Sequence, residues 1–424
     1  MASIMFISLL VLLLLSVPVA LSLGLASMIA FLTEGSMPLL VLIQRMFAAL
    51  DVFPLMAIPF FILAGSLMET GGISKRLVNF ANSLAGGMTG GLAVVTVVTA
   101  MFFSAISGSS AATTAALGSI LIPAMVKKGY DVRFAGATQA VSGELGVIIP
   151  PSIPMILFGI TAGVSIGDLF IAGFLPGILI GGSLIFTVWF LSKKKGYKGE
   201  AGMTWGQRFK AFKEASLALL MPVIILGGIY GGYFTPTEAS VVAVVYALIV
   251  GVFIYKELNW RNLIEIFTKS SITTSIIMII IANAGMFGWI LTREQVPQKV
   301  AAFFTSFSES PIVFLALINI LLLVVGMFFE TSAAIIILAP LLTPVAVALG
   351  IDPVHFGMIV IVNLAMGMIT PPIGVNLFVA CQIANIKLED ITKAMLPFFI
   401  TLVLDILIIT YFPAISTWLP SLLK

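Results

Sequence analysis

The sequence predicts an all-α polytopic membrane protein made of two inverted-topology repeats, each with a re-entrant helical hairpin and a broken transmembrane helix. Three observations predict it. Hydrophobic residues fill 60% of the 424 positions and charged ones 9%, with a mean hydropathy of +1.19, which leaves too few charges to cover a globular surface. Pro150 and Pro371 lie 221 residues apart, and the same ungapped offset pairs Ala112 with Ala333, Pro123 with Pro344, Gly129 with Gly350, Asp131 with Asp352, Gly146 with Gly367, Pro151 with Pro372 and Pro176 with Pro397. Most of these residues dictate backbone shape, so the halves share a fold rather than a side-chain chemistry. Finally, basic loops of one half correspond to neutral loops of the other: "KKGYDVR" at 127–133 against "ALGIDPVH" at 348–355, and "GVSIGD" at 163–168 against "ANIKLED" at 384–390. Under the positive-inside rule that exchange is the mark of inversion.

The elements follow in order. Residues 1–89 supply the first repeat's frame and interfacial arm helices. Their opening run "IMFISLLVLLLLSVPVALSLGLASMIAFL" lacks the basic start of a signal peptide, and Pro18 is expected to divide it into two short spans. The stretches "MPLLVLIQRMFAALDVFPL" and "ISKRLVNFANSLAGG" read as amphipathic helices on the periplasmic and cytoplasmic faces. Residues 90–191 form the first repeat's core. The hairpin at 90–126 has two arms of about 16 residues, roughly 24 Å each, and its tip is "SGSS" at 107–110. The broken helix at 133–165 is interrupted at "GVIIPPS", where two prolines remove donors and clash with the preceding turn. A span at 169–191 returns to a basic linker, 192–216, whose seven basic and two acidic residues put it in the cytoplasm. The second repeat begins with frame and arm helices over 217–310, including "NWRNLIEIFTK" and "VPQKVAAFFTSFSES" as interfacial stretches. Its core, 311–424, has a hairpin at 311–347 with the tip "FETS" at 329–332, a broken helix at 355–384 and a span at 394–413.

Irregular backbone at membrane depth is tolerated only where it is buried in protein or lines a cavity. Half-helix ends there offer N–H dipoles to anions and free carbonyls to cations. Two tips and two breaks therefore predict one substrate site flanked by two ion sites. Single Cys381 excludes an internal disulfide, and a net charge of +3 gives no reason to expect a nucleic-acid partner.

The SGSS tip followed by "GVIIPP", the later echo "GMITPP" and the "GFLPG" at 173–177 resemble the large membrane subunit of tripartite ATP-independent periplasmic (TRAP) transporters, the DctM-like family of the ion transporter superfamily. The resemblance covers essentially the whole chain. It implies an elevator-type secondary transporter in the bacterial inner membrane, driven by Na⁺ as coupling ion without any other cofactor. It also implies two partners, a periplasmic substrate-binding protein and a small membrane subunit of four helices, here expected as a separate polypeptide. The cargo would be an organic acid such as a C4-dicarboxylate or sialic acid. The alternative is a self-sufficient Na⁺/carboxylate symporter of the same superfamily.

Na⁺ is a hard cation that takes oxygen ligands. The first ion site is expected from Ser104, Ser107, Ser110, Gly146, Ile149 and Pro151, and the second from Gly326, Phe329, Glu330, Thr331, Gly367 and Thr370. Phe329 could give only its carbonyl. Substrate contacts are expected from Ser109, Thr113, Ser332, Asn363 and Asn376, because no Lys or Arg falls in either tip or break. Glu330 is a candidate to ligate an ion, carry a proton or pair with a cation; Glu144 reads as a packing carboxylate, Asp405 as a contact to a neighbouring helix or the small subunit, and His355 as a capping or surface group. An intramembrane hydrolase would need a base beside its serine, and this lone His falls outside the core, so no enzymatic activity is expected.

Overall fold

The structure, a computed structural model, describes residues 1–35, 38–199, 202–307 and 310–423. Met37 of the first amphipathic stretch, Glu200 and Ala201 of the basic linker, and Ser308 and Glu309 of the last amphipathic stretch lie outside the described residues. Among the described residues all regular secondary structure is helical. Among the described residues nine helices are long and apolar enough to cross a bilayer, or up to ten with one bent pair counted as a span.

The first frame opens with α1 (Ala2–Leu14) and α2 (Val19–Glu34), which pack on each other across a turn at Ser16; Pro18 is the N-cap of α2. Next come α3 (Leu40–Leu50), a 3₁₀ turn at Phe53–Met56 with Pro54 at its start, and α4 (Ala57–Thr70). In α5 (Ile73–Ala85), Ile73, Leu77, Ala81 and Ala85 recur every fourth residue and are all buried, the stripe of an amphipathic helix lying on a core.

The first hairpin is α6 (Gly91–Ser107) and α7 (Ser110–Lys127), joined by Gly108 and Ser109 alone. So tight a reversal needs a left-handed residue, and Gly108 supplies it at φ +62°. The broken helix is α8 (Val132–Gly143), α9 (Leu145–Ile148), an extended stretch at 149–152, and α10 (Ile153–Ala162), bent by 42° at the break. α11 (Ile166–Ala172) and α12 (Phe174–Lys195) complete the repeat.

The second frame comprises α13 (Trp205–Tyr230), α14 (Pro236–Leu248) continued by a π-helical turn at Ile249–Ile254, α15 (Trp260–Arg293) and α16 (Val296–Phe307). Thr204 with Gln207, and Thr235 with Glu238, form reciprocal capping boxes that start α13 and α14. The second hairpin is α17 (Pro311–Phe328) and α18 (Thr331–Ala348). The second broken helix is α19 (Pro353–Gly367) and α20 (Val375–Ala384), separated by seven residues rather than the four at 149–152. α21 (Leu388–Tyr411) and α22 (Ala414–Leu423) end the chain's described part.

Shifting the chain by 221 residues carries the starts of α6, α7, α8 and α10 onto those of α17, α18, α19 and α20 to within one residue. Packing is crossed between the repeats. α10 lies on α18, α20 on α7, and α12 on α21, while in the frame α4 runs along α14 and α2 along α15. Both Pro–Pro bonds, 150–151 and 371–372, are cis.

Two segments differ from the expectation. The stretch 259–269 is not a separate interfacial helix but the opening of the 34-residue α15. Its counterpart in the first repeat is cut at Asp51–Pro54, whereas α15 carries no Pro or Gly before Gly285 and has no reason to stop. The basic segment 192–216 is also helical at both ends, since α12 runs to Lys195 and α13 starts at Trp205.

Where α19 crosses α17, Gly367 meets Gly326 backbone to backbone, and a Cβ at 367 would overlap Gly326. Gly367→Ala is therefore expected to destabilise the protein by about 1–3 kcal/mol, the usual cost of overpacking. Gly182→Ala, with nothing within 4 Å of its added carbon, should leave stability unchanged or slightly raised. Thermal unfolding of the two variants in detergent checks the contrast.

Candidate functional site

Both hairpin tips and both breaks converge on one cavity of about 440 Å³. Its core wall is made by Ser107–Ala112 of the first tip, Phe328–Glu330 with Ser332 and Ala333 of the second, and Val147 and Met368 of the breaks. Its other wall belongs to the frame, with Ile62, Ser66 and Glu69 of α4 facing Thr273, Ile277 and Ile280 of α15. That volume lies within the range of small-molecule sites.

At the first tip the oxygens cluster. Ser107 Oγ is 2.7 Å from Thr113 Oγ1 and donates to Ser109 O at 3.3 Å, and Thr113 Oγ1 donates to the same carbonyl at 2.8 Å. Gly146 lies against this group, since its missing Cβ would strike Ser109 O and Thr113 Oγ1. Pro151 O lies where a Cβ added at Gly108 would come within 3.0 Å of it, and the Ile153 N–H donates to Gly108 O at 3.2 Å, tying tip to break. Ser109 caps α7 and Ser152 caps α10, so helix N-termini and free oxygens are held side by side.

Of the residues expected at the first ion site, Ser107, Gly146 and Pro151 meet at this cluster. Thr113, expected at the substrate, is fully buried within it. Ser104 is fully buried with its Oγ unpartnered among the described residues, Ser110 turns toward the second break, and the Ile149 side chain packs on Gly177.

The second tip has a different chemistry. Glu330 is the N-cap of α18, and its carboxylate accepts from Ser332 N at 2.9 Å, Ser332 Oγ at 2.9 Å and Ala333 N at 3.3 Å. Anionic groups are favoured there by the helix dipole. Thr370 Oγ1 donates to Met366 O at 2.8 Å, and the Thr370 N–H to Gly367 O at 3.0 Å. Phe329 is extended and faces the cavity, while Gly326 and Gly367 are in backbone contact.

Among substrate candidates, Ser109 and Ser332 line the cavity. Asn376 is fully buried in the first turn of α20, neither amide atom having a partner among the described residues. Asn363 is elsewhere. Its amide donates to Asn319 Oδ1 at 2.9 Å and Ile359 O at 2.8 Å, in a network with Thr410, because it lies a full turn before the break on the face toward α17. His355, expected to cap or to lie at the surface, is 2% exposed with Nε2 at 3.2 Å from Thr410 O, and Asp352 does the capping. Asp405 accepts from Ser183 Oγ on α12. Glu144 is fully buried with both oxygens unpartnered among the described residues.

One central residue escaped the sequence reading. Met368, at the second break, receives Ser110 Oγ at 3.3 Å and Thr331 Oγ1 at 2.9 Å on its sulfur, so it bridges the two tips. The signal was the 221 offset, which pairs it with Val147 on the same cavity wall.

The sequence matches the family described as "Tripartite ATP-independent periplasmic transporter, DctM component" over residues 6–415. The chain belongs to the DctM family. It is 42% identical to the C4-dicarboxylate TRAP transporter large permease protein DctM of Vibrio cholerae, over 99% of this chain and 98% of that protein. It is 42% identical to the sialic acid TRAP transporter large permease protein SiaM of the same organism, over 89% of each. The isethionate TRAP transporter permease protein DctMQ of Oleidesulfovibrio alaskensis is 46% identical over 94% of this chain, which spans only 63% of that longer protein. The fold is similar to the Alcanivorax borkumensis YdaH transporter, with a TM-score of 0.65 at 17% identity over 90% of this chain and 86% of that one. These relatives are transport permeases, and none of those named is an enzyme.

Capping and charge can be separated at Glu330. Glu330→Ala is expected to lower stability by about 1 kcal/mol through loss of the cap, whereas Glu330→Ser keeps a capping oxygen and should retain most of it. Unfolding of both variants, read beside their transport rates, shows whether the charge acts apart from the cap.

Proposed function

We propose that the chain is the large transmembrane subunit of a Na⁺-driven secondary transporter of the bacterial inner membrane. It imports an organic acid handed over by a periplasmic binding protein, and it works with a small four-helix membrane subunit. The hairpins, broken helices, α12 and α21 move as one body against the frame, an elevator form of alternating access. The observation that carries this reading is the single cavity enclosed by both tips on one side and by frame helices α4 and α15 on the other.

No Lys or Arg lines that cavity among the described residues. The cargo carboxylate is then held by the Ser109 hydroxyl, by N–H groups opening α7, and by Na⁺ bound nearby, since Glu330 already takes the donors that open α18. Ser107 Oγ, Thr113 Oγ1, Ser109 O and Pro151 O are the hard oxygen donors that suit Na⁺ at the first site. At the second, Glu330 and the carbonyls freed between Gly367 and Gly374 are the candidates. Coupling follows, because cargo without cation would meet uncompensated oxygens, and a fixed cation in an empty site would be costly to carry through the membrane. The relatives described above are named for a sulfonate and for two kinds of carboxylate, at 42–46% identity, and that range supports a small organic anion without singling one out.

Two measurements test this. In proteoliposomes holding the full complex and its binding protein, Ser107→Ala or Thr113→Val should raise the half-saturating Na⁺ concentration about tenfold, the effect of one lost polar partner worth roughly 1–3 kcal/mol. Unchanged Na⁺ dependence in both variants removes this cluster from ion binding. On a Cys381→Ser background, thiols placed at Lys127 and Asp352 should label from opposite faces of the membrane; labelling from the same face overturns the inverted arrangement.

A further inference from the structure

Below the cavity a second recess of about 160 Å³ lies between the same two frame helices, and Ser66 and Glu69 line both. On α15 the recess takes Asn262, Glu265, Ile266 and Lys269, and the cavity takes Thr273, Ile276, Ile277 and Ile280. Both sets of four recur at i, i+3, i+4 and i+7, which puts all eight on one continuous face. From Asn262 to Ile280 that face runs about 27 Å at 1.5 Å per residue, more than half the thickness of a bilayer core of ~30 Å. It grades from isoleucine beside the tips, through Thr273, to Lys269, Glu265 and Asn262. α4 matches it with Ile62, then Ser66, then Glu69. Lys75 and Arg76 follow within two turns of the end of α4, which puts this end at the cytoplasm.

We infer that the facing strips of α4 and α15 form the route by which cargo leaves the cavity for the cytoplasm, with Lys269 at its mouth as the cation that receives the departing carboxylate; the inference rests on the transport function proposed above. Lys269 is the cation among the described residues lining cavity and recess. It holds Glu265 at 2.8 Å, with both side chains more than 60% exposed, a weak pair that a passing anion can replace at little cost. Glu69 is the third charge in the group, close enough to Lys269 to act on it.

The test needs no cargo. Thr273→Cys is placed on the Cys381→Ser background and treated, in inside-out vesicles, with a sulfonate-bearing and an ammonium-bearing methanethiosulfonate. Thr273→Cys should react from the cytoplasmic side, and Ile272→Cys, on the neighbouring lipid-facing side and 57% exposed, should not. Adding Lys269→Gln should lower the ratio of anionic to cationic reaction rates by roughly three- to sevenfold, as expected for removing one charge some 7 Å away in a partly hydrated path. Lys269→Arg should restore the ratio. Thr273→Cys reacting no faster than Ile272→Cys, or a ratio indifferent to Lys269→Gln, overturns the route. Na⁺-driven uptake persisting in protein with an unreactive Thr273→Cys overturns the route alone and leaves the transport reading standing.

Discussion

The need to satisfy every backbone polar group away from water governs this molecule. A helix broken inside hydrocarbon frees N–H and C=O groups that each cost several kcal/mol if left alone, so a break survives only where something answers it. Here the first break is answered by its hairpin tip, and the second closes on itself. The Ile153 N–H reaches Gly108 O, and the Ser152 hydroxyl closes back on Val147 O at 2.6 Å. At the second break the Asn376 N–H reaches Met368 O at 3.0 Å. With these bonds made inside the protein, the polar region of tips and breaks lies together at the centre of the core.

The two repeats solve this problem with the same backbone and different side chains. Ser109 and Glu330 occupy equivalent N-caps, as do Ser110 and Thr331 at the next position, but Ser107 is matched by Phe328 and Thr113 by Ala334. The first tip therefore holds a cluster of neutral hydroxyls, and the second a carboxylate already engaged by three donors. Crossed packing of α10 on α18 and α20 on α7 brings these unlike tips to one cavity, and Met368 joins them through its sulfur. A polarizable thioether can accept from two hydroxyls without imposing a fixed geometry, which suits a joint between halves that match in shape but not in chemistry.

Much of the fold was legible because Pro locks φ and removes a donor, Gly tolerates left-handed turns and close approach, and Asp caps a helix through its own side chain, all of them local effects. Gly108, Gly146, Pro150 and Pro371 announce turn, close approach and break from the sequence alone. The capping role of Ser109 follows from its place before α7. Side-chain orientation was not legible. Asn363 was drawn to the site by its nearness to the break, but α17 offers Asn319 on the opposite side, and only tertiary packing decides which way that amide turns. Met368, one of 20 methionines in an apolar chain, was marked only by the 221 offset that pairs it with Val147, and its residue type gave no hint of a role. The start of α15 misled because Trp260, Arg261 and Lys269 look interfacial, although nothing in that run can end a helix.

The arrangement of hydrogen bonds bears on how such a core can move. Asn283 to Ala20 O, Arg76 to Glu257 and Tyr246 to Leu217 O join frame to frame. Ser183 to Asp405, Thr187 to Thr401, Asn363 to Asn319 and Ser110 to Met368 join core to core. Where α4 meets the first tip, Gly65 instead faces the Ser107 backbone, which an added Cβ would meet at 3.4 Å, and the frame wall above it is rich in isoleucine. Packed apolar faces slide without breaking directional bonds, whereas each internal bond resists deformation of its own body. A core that is cross-linked within itself and meets its frame through small and apolar residues has the bonding pattern that the proposed alternation requires of it.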